Sequence, residues 1–187
     1  MKYNTSEISN ILHNGDSFTK ISILSSLSES TDPAIIIEII SALDDKEIRV
    51  RGEAFSSLFL NFNDVSEVLI SSLTSESKNI RGFCALILAN RGNTNSINSL
   101  INLTKDTSGM VRSCAFGALG HLKAKKAKNE IHTGIFDENN EVKKSAAFAL
   151  YLIEEKLSDL EKKELETQND NDFEKILKWW TGRDLNP

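Results

Sequence analysis

A short pattern of residue types recurs along the chain every 30 or 31 residues, and this repetition constrains the fold more than any other feature. In each copy an apolar residue precedes a basic one, a small residue follows three positions later, and a leucine follows four positions after that. The basic residues of the four clear copies are Arg51, Arg81, Arg112 and Lys143. A degenerate first copy has Lys20 in the same place and starts near Asn14. Fixed intervals of this length are typical of stacked repeats.

Each copy contains two patterns typical of amphipathic helices. The first follows the basic residue and spaces apolar or small residues at helical intervals, as in Ala115, Phe116 and Leu119. The second carries two adjacent apolar residues, one of which is replaced by His132 in the fourth copy. A two-helix unit of this size buries its apolar stripe only by stacking on its neighbours. The sequence therefore predicts an all-α fold, a right-handed α-solenoid (superhelix) of about five antiparallel helix pairs with helical caps.

The small residue of each first helix has a steric explanation. Neighbouring helices approach to about 8–10 Å between their axes, which leaves no room for a large side chain at the contact. We therefore expect this residue to be buried in every copy. The residues concerned are Ala54, Cys84, Ala115 and Ala146. The first helices also contain glycines, for which we predict tight packing as well. These are Gly52, Gly82 and Gly117.

At these residues the sequence resembles the HEAT-repeat family, in particular the short repeats typified by phycobilisome lyases. The family pattern has an Asp in the turn between repeats, then a Val-Arg pair, then Ala-Ala and Leu. Asp45, Asp106 and Asp137 occupy the Asp position, each six residues before the basic residue, whereas Ser75 and Asn14 replace it elsewhere. The resemblance covers residues 14–157. It implies a repeat fold, and it says little about function because such repeats serve scaffolds, enzyme subunits and adaptors alike.

The resemblance also implies a structural role for the basic residues. In the family, the basic residue and the turn Asp form hydrogen bonds that tie successive repeats together. By register, an Asp is available to Arg51, Arg112 and Lys143, whereas Arg81 has only Ser75 in its own turn. A phosphate-binding row is the alternative interpretation of the same basic residues.

We predict a single HEAT-like repeat domain over residues 1–187. Residues 1–13 form an N-terminal cap, 14–157 the repeats, 158–180 the C-terminal capping helices and 181–187 a tail. Ser158 and Glu161 fit a capping box at the start of a capping helix. Trp180 is expected to pack on the last repeat and Trp179 to point elsewhere, as an interaction anchor.

Composition excludes several classes of function. The chain has 22 Lys and Arg against 27 Asp and Glu, a net charge of −5, which disfavours nonspecific binding to nucleic acid or anionic membranes. Neither a signal peptide nor a membrane-spanning run is evident, and two cysteines are too few for a disulfide framework, so we expect a cytoplasmic protein. The three histidines lack ligand-like spacing, and no nucleophile motif or Gly-rich phosphate loop occurs. We therefore predict no catalytic residues, metal or cofactor.

The second helices of the predicted repeats offer a surface for a partner. In the resembling family the second helix lines the concave side, and its outward residues here are mostly uncharged and polar, with acidic points. The candidate partner-binding residues are Glu38, Ser41, Glu67, Ser71, Asn98, Asn102, Glu130 and Trp179. We therefore predict a noncatalytic protein-interaction scaffold or adaptor with a protein partner. An enzyme component resembling a bilin lyase subunit, and an immunity or inhibitor-type protein, are the alternatives.

Overall fold

The computed structural model of the chain describes residues 4–168, 173–175, 177 and 178. These residues form helices and connecting turns, with no strand among them. The first helix of each repeat begins three residues before its basic residue. These helices are α2 (Ser17–Ser26), α4 (Ile48–Leu60), α6 (Lys78–Asn90), α8 (Gly109–His121) and α10 (Asn140–Leu152). The predicted all-α repeat fold is confirmed.

The second helices are shorter and alternate with the first ones. They are α3 (Pro33–Ser41), α5 (Ser66–Ser71), α7 (Ile97–Leu103) and α9 (Lys128–Gly134), and α11 (Asp159–Glu166) follows the last repeat. Short 3-10 helices extend α3 and α5 at Ala42–Asp44 and Ser72–Thr74, and others lead into α7 and α9 at Thr94–Ser96 and Lys125–Ala127. One further helix, α1 (Thr5–Asn14), precedes the repeats.

Local capping explains where several helices begin. The side chain of Asp32 accepts a hydrogen bond from the backbone N–H of Ala34, and Pro33 occupies the first turn of α3, where its missing N–H costs nothing. Ser158 and Glu161 form the predicted capping box at the start of α11. The described residues between 173 and 178 are helical, and Phe173 is buried. Trp179 and Trp180 lie outside the described residues.

The chain divides into two compact units, Met1–Arg91 and Gly92–Pro187. Organisation as a single domain stays a prediction. Within the part of the chain that the structure describes, no helix is both long and apolar enough to cross a membrane.

In the first unit α2 packs on α4, α4 packs on α6, and α3 packs on α5. Ala54 and Cys84 are fully buried, as the helix-packing argument predicts. The hydroxyl of Ser57, also buried, donates a hydrogen bond of 2.8 Å to the carbonyl of Leu24 and so joins α4 to α2. The apolar core therefore lies between successive helix pairs.

In the second unit α8 packs closely on α10, and Ala115 and Ala146 are fully buried. Gly120 lies in close contact with the backbone of α10, since an added Cβ would lie 2.7 Å from the Cα of Ala149. Gly134 is similarly confined, since its Cβ would lie 2.5 Å from the Phe116 ring.

The prediction of tight packing is wrong at two of the glycines singled out from the sequence. A Cβ added at Gly52 or at Gly117 would meet none of the described residues within 4 Å, because both glycines lie on helix faces without a close neighbour. Gly82 is buried. The sequence pattern identifies the first helices but not which of their glycines face another backbone.

Candidate functional site

The candidate partner-binding residues of the first unit lie on α3 and α5. Glu67 and Ser71 are exposed, four residues apart on α5, so they share one face of that helix. Glu38 and Ser41 on α3 are half-buried. The apolar partners between them are buried, Ile39 on α3 and Leu69 on α5. Each second helix therefore presents a polar edge while its apolar edge packs inward.

The serine hydroxyls on this edge already donate their hydrogens within their own helices. The Ser41 hydroxyl lies 2.7 Å from the Glu38 carbonyl, and the Ser71 hydroxyl lies 2.8 Å from the Val68 carbonyl. A hydroxyl has one hydrogen but two lone pairs, so these oxygens keep the capacity to accept a hydrogen bond. Together with Glu38 and Glu67, the edge offers acceptors to a partner that brings donors.

In the second unit the corresponding residues lie on α7 and α9. Asn98 and Asn102 are exposed and four residues apart on α7, whereas Glu130 on α9 is half-buried. The Asn98 side-chain oxygen accepts a hydrogen bond of 2.9 Å from the Lys126 ammonium. Trp179, the remaining candidate, lies outside the described residues. Partner binding by all these residues stays a prediction.

The basic residues and turn aspartates of the ladder are joined in a register that the sequence did not reveal. The carboxylate comes from the next repeat: Lys20 Nζ lies 2.7 Å from Asp45 Oδ2, and the Arg112 guanidinium bonds both oxygens of Asp137 at 2.7 and 2.8 Å. These pairs are largely buried, with the Arg112 and Asp137 side chains each 12% exposed. A two-point contact of this kind fixes orientation as well as charge.

Each arginine also binds the turn that precedes its own helix, through the backbone. The Nη1 atom of Arg51 donates to the Asp45 carbonyl at 2.7 Å, and that of Arg112 donates to the Asp106 carbonyl at 3.0 Å. Arg81 donates in the same way to the Ser75 carbonyl at 2.7 Å. Because a carbonyl is present whatever the side chain, serine serves this contact as well as aspartate does.

Lys143, the last basic residue of the ladder, has a different partner. Its ammonium group bonds the carboxylate of Glu164 on α11. The helix that follows the last repeat therefore supplies the carboxylate that a turn aspartate supplies elsewhere. The structural role of Lys143 and Arg112 accounts for their charges within the fold.

The aspartates of these pairs predict how stability depends on pH. Burial works to raise the pKa of Asp137, but hydrogen bonds from Arg112 and from the Asn139 N–H outweigh it and leave the pKa below its ordinary value. The balance at Asp45 is the same, with burial opposed by Lys20 and by the Glu47 N–H, and its pKa is also lowered. A carboxyl whose pKa is lowered by folding stabilises the fold fully above its unfolded pKa of about 3.9. That stability is lost as the pH falls through the folded pKa.

We therefore expect the free energy of unfolding to fall between about pH 5 and pH 2, and Asp137→Asn to reduce this fall, because asparagine does not titrate. Urea denaturation at pH 7 and pH 3 measures the difference for each protein. An equal difference in the wild type and in Asp137→Asn would contradict the assignment. Asp159→Asn is the control, since Asp159 is exposed on α11.

A local group of lysines at the turn before α9 has acidic or polar neighbours. Lys125 lies 3.4 Å from Glu154, Lys128 lies 4.0 Å from Glu155, and Lys126 bonds Asn98. These acidic neighbours partly offset the positive charge of the group, which weakens the case for an anion site there.

The thiol and imidazole groups discussed next, within the described residues, lie in surroundings that do not favour catalysis or metal binding. Burial raises the pKa of the Cys84 thiol to about 12 and that of Cys114 to about 11, so neither carries appreciable thiolate at neutral pH. His132 is half-buried, with Nδ1 2.6 Å from the Glu161 carboxylate. Across the described part of the chain, no group of three or more His, Cys, Asp or Glu side chains is placed to hold a metal ion.

Comparisons with known proteins identify the repeats. Residues 66–151 match the family model described as HEAT repeats. Comparison with the curated proteins gave no match. Among solved structures the chain is similar to an engineered protein from a structural genomics consortium, with 18% identity, 94% of each chain covered and a TM-score of 0.55. It is similar also to the complex of CpcE and CpcF of phycocyanin lyase from Nostoc sp. PCC7120, with 17% identity, 94% of this chain and 75% of that chain covered, and a TM-score of 0.58.

A third similar structure is a designed armadillo repeat protein in complex with the peptide (KR)4, with 16% identity, 94% of this chain and 97% of that chain covered, and a TM-score of 0.50. At these identities the likenesses show the fold alone. Together with the family match they confirm the resemblance seen in the sequence: residues 66–151 match the HEAT-repeat model, and the chain has the HEAT/armadillo-like repeat fold.

Proposed function

We propose that this chain is a noncatalytic cytoplasmic scaffold or adaptor that binds a segment of a protein partner through the polar edges of its second helices. The observation that carries the proposal is the pairing of exposed polar residues on these helices, Glu67 with Ser71 in one unit and Asn98 with Asn102 in the other. Each pair lies one helical turn apart, which matches the side-chain spacing that an extended segment or a helix can contact.

The chemistry of these edges favours a protein segment. Serine and asparagine side chains form hydrogen bonds with a partner at little desolvation cost. Edges that are rich in acceptors and carry acidic residues complement a segment that is rich in N–H donors and positive charge. Nucleic acid is disfavoured, because its phosphates would meet the carboxylates of Glu67 on α5 and Glu130 on α9. The free thiols of Cys84 and Cys114 accord with a reducing compartment.

The likeness to the CpcE–CpcF complex of phycocyanin lyase is one of fold, at 17% identity. It supplies no chromophore site or catalytic residue for this chain. The proposal is therefore a binding function without chemistry, and addition of a bilin to the purified protein is expected to leave the bilin spectrum unchanged.

Affinity capture from the source cell tests the proposal. We expect Glu67→Ala combined with Ser71→Ala, or Asn98→Ala combined with Asn102→Ala, to lower recovery of the partner by about tenfold, because each double change removes about 1–2 kcal/mol of polar contacts. Quantitative mass spectrometry of the captured proteins gives the recovery ratio.

The matched control changes exposed residues on first helices, Asn90→Ala combined with Glu141→Ala. This variant is expected to recover the partner as the wild type does. Equal recovery by all variants, or loss in the control alone, would remove the second helices from the interaction.

A further inference from the structure

A polar cleft of about 640 Å³ lies between α1 and α3, at the start of the chain. Its α1 wall consists of two rows of side chains at four-residue spacing, the helical repeat that places residues on one face. The rows are Thr5, Ser9 and His13, and beside them Ser6, Asn10 and Asn14. The facing side chain from α3 is Glu38.

The Glu38 carboxylate is the unusual group of this cleft. Its side chain is 20% exposed, and its Oε2 atom is covered and makes no hydrogen bond within the described part of the chain. The nearest cationic candidate is His13, whose Nδ1 lies 3.7 Å from Oε2 but also 2.8 Å from the Ser9 carbonyl. A covered carboxylate oxygen without a donor is costly, so a ligand that brings donors relieves a penalty already present.

We propose that this cleft binds the guanidinium group of an arginine in the partner segment, an inference that rests on the proposed function and adds the chemistry of one contact. Glu38 accepts the charge-assisted bonds of the guanidinium. Because the terminal torsion of a glutamate has a broad minimum, rotation about it turns Oε2 toward the ligand. Both carboxylate oxygens then meet the parallel N–H groups of the planar fork.

The α1 wall explains why the ligand is a guanidinium rather than a compact cation. A guanidinium carries five N–H donors spread over a plane, whereas an ammonium is a compact point charge. The wall spreads hydroxyl and amide oxygens along the helix, and Asn10 Oδ1 accepts from Asn14 Nδ2 at 2.9 Å while retaining a second lone pair. The volume exceeds what a single ion needs and lies in the range of ligand sites, about 300–1,000 Å³.

The charges of the cleft exclude other ligand classes. Among the described residues no lysine or arginine lines it, so an anion would meet Glu38 without compensation. A neutral polar group leaves the Glu38 charge unpaired. Protonated His13 would sit beside the same carboxylate and compete with the arginine.

Nuclear magnetic resonance titration of the full ¹⁵N-labelled chain at pH 8 tests this site without a partner protein. The probe is Nα-acetyl-arginine amide, compared with the lysine and the neutral citrulline analogues. We expect the arginine probe to shift amide resonances of α1 and α3, and Glu38→Gln to weaken its binding by about tenfold, as a lost ion pair of about 1.4 kcal/mol does. Glu141→Gln, at an exposed acid on α10, is the control and binds as the wild type does.

A second variant adds charge instead of removing it. Asn10→Asp keeps the acceptor that Asn14 uses and places another carboxylate on the wall, so we expect it to tighten arginine binding several-fold. Equal binding of the citrulline probe, equal binding of the lysine probe, or unchanged binding by Glu38→Gln overturns the proposal. If Glu38→Gln binds the probe as the wild type does, while partner capture still depends on Glu67 and Ser71, the arginine site in the cleft is overturned and the proposed function stands.

Discussion

Gly120→Ala is expected to destabilise the protein by about 1–3 kcal/mol, the usual cost of forcing extra volume into a packed contact. The new Cβ would lie 2.7 Å from the Ala149 Cα and 2.9 Å from its Cβ, so α8 and α10 must move apart. Backbone atoms of α10 form the obstacle, and a side-chain rotation does not relieve it. The loss exceeds the gain of about 1 kcal/mol that alanine brings to a helix interior.

Gly117→Ala in the same helix is the matched control and is expected to stabilise the protein by about 0.5–1 kcal/mol. Its Cβ meets none of the described residues within 4 Å, so only the helix preference of alanine remains. Urea denaturation of both variants, monitored by circular dichroism at 222 nm, measures the two free energies of unfolding. A stabilising effect of Gly120→Ala, like that expected of Gly117→Ala, would show that α8 and α10 do not approach each other closely at Gly120.

Arg91→Ala is expected to lower the free energy of unfolding by about 2–3 kcal/mol, because it leaves several carbonyls at the end of α4 without a donor. The Arg91 guanidinium lies 3.1 Å from the Leu58 carbonyl, 2.6 Å from the Asn63 carbonyl, and also bonds the carbonyl of Asn61, which is buried. The last carbonyls of a helix lack donors within the helix, and the Arg91 side chain, at the end of α6, supplies N–H donors to those of α4.

Arg91→Lys retains the charge but places one compact ammonium where a planar fork spans several acceptors, so it is expected to restore less than half of the loss. Arg49→Ala, which removes an exposed arginine from α4, is the control and changes stability by about 0.5 kcal/mol or less. Thermal and urea denaturation give both comparisons. If Arg91→Ala is as stable as the wild type, water satisfies the hydrogen-bonding capacity of these carbonyls as well as the Arg91 guanidinium does.

Periodicity predicted the features that depend on a residue's position within its repeat. Ala54 and Ala146 are fully buried as expected, because a repeated helix contact requires a small side chain at the same step in each copy. Glycine showed the limit of this argument, since Gly117 faces open space and Gly120 faces a backbone three residues later. The neighbour that each helix face meets decides this difference, and a single sequence does not contain it.

The partners of the turn aspartates were hidden for a similar reason. Asp45 pairs with Lys20, 25 residues earlier, although the sequence offers Arg51 six residues later. The turn directs the carboxylate back toward the first helix of the preceding repeat, and its backbone carbonyl accepts from the arginine that follows. Arg91 follows α6 directly, and its side chain points toward carbonyls of α4, a contact that the sequence did not reveal.

The candidate site was predictable in its residue types more than in its geometry. Helical register placed Glu67 and Asn102 on the exposed edges of α5 and α7, where the structure has them. The role proposed for Glu38 depends on α1, whose Ser, Asn and His side chains were considered only as part of an N-terminal cap. Their four-residue spacing was visible in the sequence, but the sequence did not show that α3 faces them.

The contact between Lys143 and Glu164 has an evolutionary consequence. Each basic residue of the observed pairs joins its repeat to a carboxylate that comes later in the chain, and the last one is matched by a residue outside the repeat pattern. A duplicated copy inserted upstream would bring its own aspartate and leave this terminus untouched. Whole repeats can therefore be gained or lost inside the chain, while α11 still supplies the carboxylate of Glu164 to the basic residue of the last repeat.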